Sequence, residues 1–213
     1  AFDLEDLPCV VDRLVAQLHD ENAETDAAGP IASQPWFEGW LRTLMGYGEP
    51  SQWILSLGTY GYDWNTDRKK TTTISFADGM ARAQRSGVGP VTSSAPDFNP
   101  TFSYNSEGEC HEVWLLDAST FANQLRALDQ EGCAGVLIDH LGTEDPDVWS
   151  ILNHHSDYEP KVLQELETIE PEKTIAQIGE GDFLTADLTS KSGRRKLWVN
   201  PDGYLCETFE QFP

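Results

Sequence analysis

"SQWILSLGTYGYDWN", residues 51–65, decides how the rest of the chain is read. Its first half, 52–57, is a short and almost wholly apolar run, the pattern of a strand covered on both faces in a parallel sheet. Its second half, "LGTYGYDWN" at 57–65, crowds two tyrosines, a tryptophan, an aspartate and two glycines into nine residues. Aromatic rings beside hydrogen-bonding groups suit a sugar, because a pyranose has an apolar face and a polar edge. The same composition can equally close a hydrophobic core over a tight turn. Its place is informative, since parallel βα folds gather ligands at the C-terminal ends of their strands.

Working outward, "VVDRLVAQLHD" at 10–20 reads in its latter half as a buried strand, although a short helix fits the same residues. A loop follows at 21–34. Pro35 then opens a helix in which Trp36, Phe37, Trp40, Leu41, Leu44 and Met45 recur at helical spacings, and Gly46 and Gly48 end it. Beyond a basic patch at 68–70, Ser75 and Asp78 form a capping-box-like start for a helix through Arg85, closed by Gly87. "TFSYNSEGECHEVWLL" reads as two strands about a tight turn at Glu107 and Gly108. Asp117 caps a helix carrying Ala118, Phe121, Ala122, Leu125 and Leu128 on one face, and Gly132 stops it before a third apolar strand in "CAGVLIDHLG". Strand, helix, strand, inserted helix and hairpin, helix, strand is the order of βα units around a parallel sheet, so the fold class is α/β.

From residue 154 the character changes. "EPKVLQELETIEPEK" is a charged connection, while "FLTADLTS" and "RKLWVNPDGYLCETF" read as strands, the latter folded at "NPDG".

The 213 residues carry 36 acidic against 14 basic side chains, a formal net charge of -22. Such a surface repels phosphate backbones and anionic headgroups, so nucleic acid is not an expected partner. No apolar run approaches the roughly 18–20 residues of a membrane span, and the N-terminus lacks a signal-peptide pattern. Cys9, Cys110, Cys133 and Cys206 form no CxxC pair, which speaks against zinc-ribbon and thioredoxin chemistry and leaves buried free thiols as the expectation. No GxSxG elbow, GxxxxGK[ST] loop or GxGxxG turn occurs, and "HHSDYE" at 154–159 lacks helical HxxxH spacing and reads as a solvated linker. No metal and no cofactor are expected. Carboxylate chemistry or recognition of a neutral polar ligand remains, with glycans first.

Three strand ends carry the polar and aromatic residues this would need: Gln17, His19, Asp20 and Glu21; Tyr60, Tyr62, Asp63 and Trp64; and Asp139, His140, Glu144 and Asp145. Each has a bland reading, the aspartates as caps, the rings as core and the histidines as satisfied structural groups. Their coincidence on one expected face carries more than any one of them.

In order and spacing, "HDEN", "GPIASQPWFEGWL", "LGTYGYDWN" and "HEVWLLDASTFANQLRALDQEGCAGVLIDHLGTEDPDVW" resemble the C-terminal half of a glycoside hydrolase family 18 (chitinase-like) domain. The likeness is to bacterial versions joined to polysaccharide deacetylase and family 2 glycosyltransferase modules, and covers about residues 10–152. It implies a partial TIM barrel with strands six to eight at 14–20, 52–60 and 133–141. Residues 1–153 would be this partial domain, 66–117 within it the family's α+β insertion, and 154–213 a linker and small C-terminal β unit. It also implies a polysaccharide or oligosaccharide partner, a β-linked N-acetylhexosamine polymer, held by His19, Asp20, Tyr60, Tyr62, Asp63, Trp64 and Asp139.

The family's Asp-x-x-Asp-x-Asp-x-Glu motif, whose last residue is the general acid, lies on strand four and has no counterpart in this sequence. No catalytic residue is therefore expected here, and the chain alone is expected to be inactive. A non-catalytic carbohydrate-binding or assembly module is the alternative. Two departures favour it: the family's Met-x-Tyr-Asp is here Gln17-Leu18-His19-Asp20, and its strand-eight tryptophan falls at Asp139. Three strands cannot close a barrel, so their edges call for a missing N-terminal half, another copy of the chain or a rearranged compact unit. The family also implies an extracytoplasmic location.

Overall fold

The computed structural model describes residues 4–23, 27–93, 95–153, 186–190 and 193–211. In chain order its strands and helices are β1 (Leu14–Gln17), α1 (Gln34–Leu44), β2 (Trp53–Gly58), β3 (Gly61–Asn65), β4 (Lys70–Ile74), α2 (Phe76–Arg85), β5 (Val91–Ser93), β6 (Thr101–Ser106), β7 (Glu109–Leu115), α3 (Ala118–Glu131), β8 (Gly135–Asp139), α4 (Val148–Asn153), β9 (Ala186–Ser190), β10 (Gly193–Val199) and β11 (Leu205–Gln211). Two sheets result. One is parallel, in the order β1-β2-β8; the other has eight strands in the order β4-β3-β7-β6-β5-β11-β10-β9.

The parallel sheet is a sector of a barrel. Register aligns Ala16 with Leu55 and Leu55 with Val136, so alternate side chains form rows across it. One set of rows, with Leu14, Leu18, Trp53, Leu55 and Leu57, packs against Phe37, Leu41 and Leu44 of α1 and Phe121, Leu125 and Leu128 of α3. The opposite set contains Val15 and Leu137, which are 55% and 42% exposed. Thus β1 is not the buried strand that its apolar residues suggest. It alternates between half-buried and exposed positions, because among the described residues helices pack on one face of the sheet. The strands are also shorter than the 14–20, 52–60 and 133–141 expected, since the residues at their ends turn into the rim.

The helices form where local chemistry places them. Asp117 accepts the Thr120 amide at 2.7 Å at the start of α3, and Gly132, at φ 77°, takes the left-handed cap that ends it. Ser75 accepts the Asp78 amide at 3.0 Å to start α2. Pro35 sits in the first turn of α1.

Between β2 and β3 only Thr59 and Tyr60 intervene, and there the chain leaves one sheet for the other. A Cβ at Gly58 would stand 2.8 Å from Leu116 Cδ1, and one at Gly61 2.9 Å from the Trp114 carbonyl oxygen. Both glycines are thus required by close packing at the branch point. In the larger sheet, α2 covers a core of Ile74, Phe76, Met80, Val113, Leu115 and Phe209. Strands β9 to β11 continue this sheet, because β11 pairs with β5. Asn123 of α3 ties β11 down, bonding both the amide and the carbonyl of Leu205 at 2.8 Å.

All four cysteines are free: Cys9 and Cys110 are exposed, Cys133 is half-buried and only Cys206 is buried, where burial pushes its thiol up to about 11. The expectation of buried thiols therefore fails at Cys9 and Cys110, which lie outside the apolar cores. Among the described residues no helix is long and apolar enough to cross a membrane. "HHSDYE" and "EPKVLQELETIEPEK" fall outside the described residues.

Candidate functional site

Asp20 follows β1 in a left-handed conformation, φ 67°, uncommon outside glycine. That turn brings its carboxylate back over the C-terminal ends of the parallel strands. Tyr60, from the β2–β3 branch, donates its hydroxyl to Asp20 Oδ1, and Tyr62 of β3 donates to the same oxygen at 2.5 Å. His19 Nδ1 lies 2.9 Å from the Tyr60 hydroxyl oxygen and 3.3 Å from Asp20 Oδ2. Both Tyr60 and Tyr62 commit their protons to the carboxylate, so the Nδ1 proton belongs on His19. Its Nε2 is then 3.4 Å from Ser56 Oγ and 3.6 Å from Asp139 Oδ2 at the end of β8. His140 Nδ1 meets the same Asp139 oxygen at 2.9 Å.

Asp20, Tyr60, Tyr62 and His19 therefore form one hydrogen-bonded group, and the Asp139–His140 pair stands beside it, completing a ring of polar side chains across three strand ends. Hydrogen bonds from His19, and then from Tyr60 and Tyr62, hold the Asp20 carboxyl well below the usual carboxylate range against the opposing effect of burial. Burial, reinforced by Asp20, pushes both tyrosines up. Asp20 stays an anion near neutral pH and is no general acid there; it can position and polarise. Ser56, His19 and Asp20 have the connectivity of a nucleophilic triad, but Ser56 is fully buried, so it serves as framework.

Asp63 and Trp64 are not part of this ring. Strand alternation sends Tyr62 and Trp64 to one face of β3 and Asp63 to the other, under α2. There Asp63, 6% exposed, receives Arg82 of α2, the Tyr104 hydroxyl at 2.6 Å and His111 Nδ1 at 2.7 Å. Burial, with Asp63 beside it, pushes Tyr104 up to about 12. Trp64 is 4% exposed, its ring edge-on to Tyr62 at 5.9 Å. Of the neighbouring residues, Glu21 accepts the Ser33 amide at 2.8 Å, Asp145 is buried and accepts the Ala118 amide at 3.1 Å, and Glu144 holds the Trp149 indole at 2.9 Å. These three are structural. The sequence reading missed the partners of Asp63; the alternation that turns it away from Tyr62 was available, but Arg82, Tyr104 and His111 lie far off in the chain.

Among the described residues no group of three or more His, Cys, Asp or Glu side chains is arranged to hold a metal ion.

No family model matches the chain. It is similar to the uncharacterized glycosylase YvbX of Bacillus subtilis, 22% identical over 152 residues that make up 71% of this chain and 44% of that protein. The spore cortex-lytic enzyme SleL of Bacillus cereus superposes with a TM-score of 0.63 at 22% identity, over 71% of this chain and 36% of that one. A chitinase of Chromobacterium violaceum superposes with a TM-score of 0.63 at 26% identity, over 70% of this chain and 47% of that one. The chain spans less than half the length of each. With Val15 and Leu137 exposed on one face of its parallel sheet and polar side chains gathered at its strand ends, the fold is a partial barrel of the kind found in chitinase-like glycosylases.

Proposed function

We propose that this chain is the C-terminal sector of a family 18-type glycosidase domain, contributing the wall of a cleft for β-linked N-acetylhexosamine polysaccharide without the residue that cleaves it. The observation that carries this reading is the gathering of Asp20, Tyr60, Tyr62 and Asp139 on strand ends, above a sheet face on which the apolar Val15 and Leu137 stand exposed. Barrel interiors are filled by branched side chains, and their ligand sites lie at the C-terminal rim. Val15 and Leu137 are residues of the first kind, and the Asp20 ring is a site of the second. A complementary half would cover the inner face and supply the glutamate that protonates a glycosidic oxygen.

The domain limits at 153 and at 66–117, an extracytoplasmic location, and a setting beside deacetylase and glycosyltransferase modules belong to the same proposal and rest on the sequence resemblance. Hydrolysis of chito-oligosaccharides by the 213-residue chain tests it: no release of reducing ends is expected, and clear turnover would overturn it. Asp139, standing where the resemblance places a tryptophan, favours a second reading as a non-catalytic glycan-binding or assembly module, since a stacking surface is replaced by an acceptor. Saturable quenching of tryptophan fluorescence by these oligomers, with no hydrolysis even when a complementary half is present, separates this from the first reading.

A further inference from the structure

His140 combines three features that no structural role explains together. Its backbone is left-handed, φ 65°, a conformation that costs a non-glycine residue free energy. It is nonetheless pinned there, because Thr143 Oγ1 donates to the His140 carbonyl oxygen at 2.5 Å while Thr59 Oγ1 donates to the Asp139 carbonyl oxygen at 2.8 Å. The ring is pinned too. Asp139 holds Nδ1 at 2.9 Å, and the Tyr60 ring packs edge-on with centroids 4.6 Å apart. The side chain remains 52% exposed, and no hydrogen bond or ion pair among the described residues engages its Nε2. His19, by contrast, is 4% exposed, with both ring nitrogens engaged.

A carboxylate only accepts hydrogen bonds, so Asp139 fixes the Nδ1–H tautomer and leaves the Nε2 lone pair outward at the rim, beside the Asp20 ring. We infer that His140 is a ligand-binding residue: the Asp139–His140 dyad presents Nε2 as a preset acceptor for a sugar hydroxyl at the cleft mouth. This rests on the glycan reading above and adds to it the atom that would make the contact. The inference also gives Asp139 a purpose, since an indole at that position could not orient the imidazole. The charged and titratable groups facing the dyad are His19 from the β1 end, Tyr60 from the branch point and Tyr62 of β3.

The test uses the whole 213-residue chain with chitotetraose as probe. In the ligand-free protein, nitrogen-15 NMR should show His140 protonated at Nδ1 and bare at Nε2, and chitotetraose should move the Nε2 resonance. Two variants separate contact from folding. His140→Asn tolerates the left-handed backbone and can keep the Asp139 bond but does not reach the Nε2 position; it should bind roughly tenfold more weakly, the loss of one neutral hydrogen bond, with an unchanged melting temperature. His140→Gln, which carries a polar atom to that position, should stay within about threefold of the parent, by the same reckoning. A proton on Nε2 in the free protein, or a His140→Asn variant that binds as tightly as the parent, would overturn the inference while leaving the glycan reading in place. Failure of the parent chain to bind any oligomer would instead remove the glycan reading, and the contact with it.

Discussion

Asp20 and Asp63 are built from the same parts and do opposite work. Each is a carboxylate served by tyrosine hydroxyls and a histidine ring, and two residues of one short strand region, Tyr62 and Asp63, divide between them. Asp63 is sealed. At 6% exposure it is matched by Arg82, Tyr104 and His111, which join β3, β6, β7 and α2 into one unit. Asp20 keeps 40% of its side chain exposed at the rim of a sheet on whose inner face Val15 and Leu137 are exposed. The difference shows how local hydrogen-bond chemistry alone does not mark a site. What marks it is whether the donors close the group off or hold it open toward solvent.

The largest effect should come from breaking the sealed site. Removing one partner of a buried ion pair leaves the others uncompensated, so Asp63→Ala should cost about 3–5 kcal/mol in urea unfolding. A loss no greater than that of Asp20→Ala would erase the distinction. Asp20→Ala should cost only about 1–2 kcal/mol, because the two freed hydroxyls can recruit water, yet it should abolish oligosaccharide binding. Retained binding would remove Asp20 from the site.

Protonation sharpens the comparison further. The folded-state pKa of Asp20 is depressed, so its contribution to stability is complete above the unfolded value near 3.9 and is lost as pH falls below it. The stability gap between the parent chain and Asp20→Asn should therefore shrink from about pH 5 toward pH 2, in denaturation curves taken across that range. Tyr60 and Tyr62 act at the other end. Their raised values mean stability that is present below about pH 10 and lost as pH rises beyond it, seen as phenolate absorbance that appears late in an alkaline titration. The smallest effect belongs to the exposed rows of the parallel sheet. Leu137→Ser should change stability by no more than about 0.5 kcal/mol, whereas Leu55→Ala, on the covered face of the same sheet, should cost about 3 kcal/mol.

Much of the architecture is legible along the chain. The apolar run of β2, the caps at Ser75 and Asp117, the stop at Gly132 and the turn at Glu107 and Gly108, both at positive φ, are local signals, and the structure uses each of them. The rest depends on distance in sequence. Asp63 finds Tyr104 and His111 41 and 48 residues away, and β5 meets β11 across more than a hundred. Apolar residues in β1 read as buried because their pattern suits a barrel interior, whereas burial depends on what lies opposite. The Asp20 ring was legible as a set of strand ends. That Tyr60 and Tyr62 converge on one carboxylate oxygen was not, because this follows from the left-handed turn at Asp20.

Amide chemical-shift mapping of the nitrogen-15-labelled chain with chitotetraose tests the division between the two regions most directly. Shifts confined to residues around His19, Asp20, Tyr60, Tyr62, Asp139 and His140 are predicted, with Arg82, Tyr104 and His111, the partners of Asp63, unmoved. Shifts centred instead on the recess of about 280 Å³ lined by Tyr104, Cys110 and His111 would place the ligand at the sealed carboxylate and contradict the account.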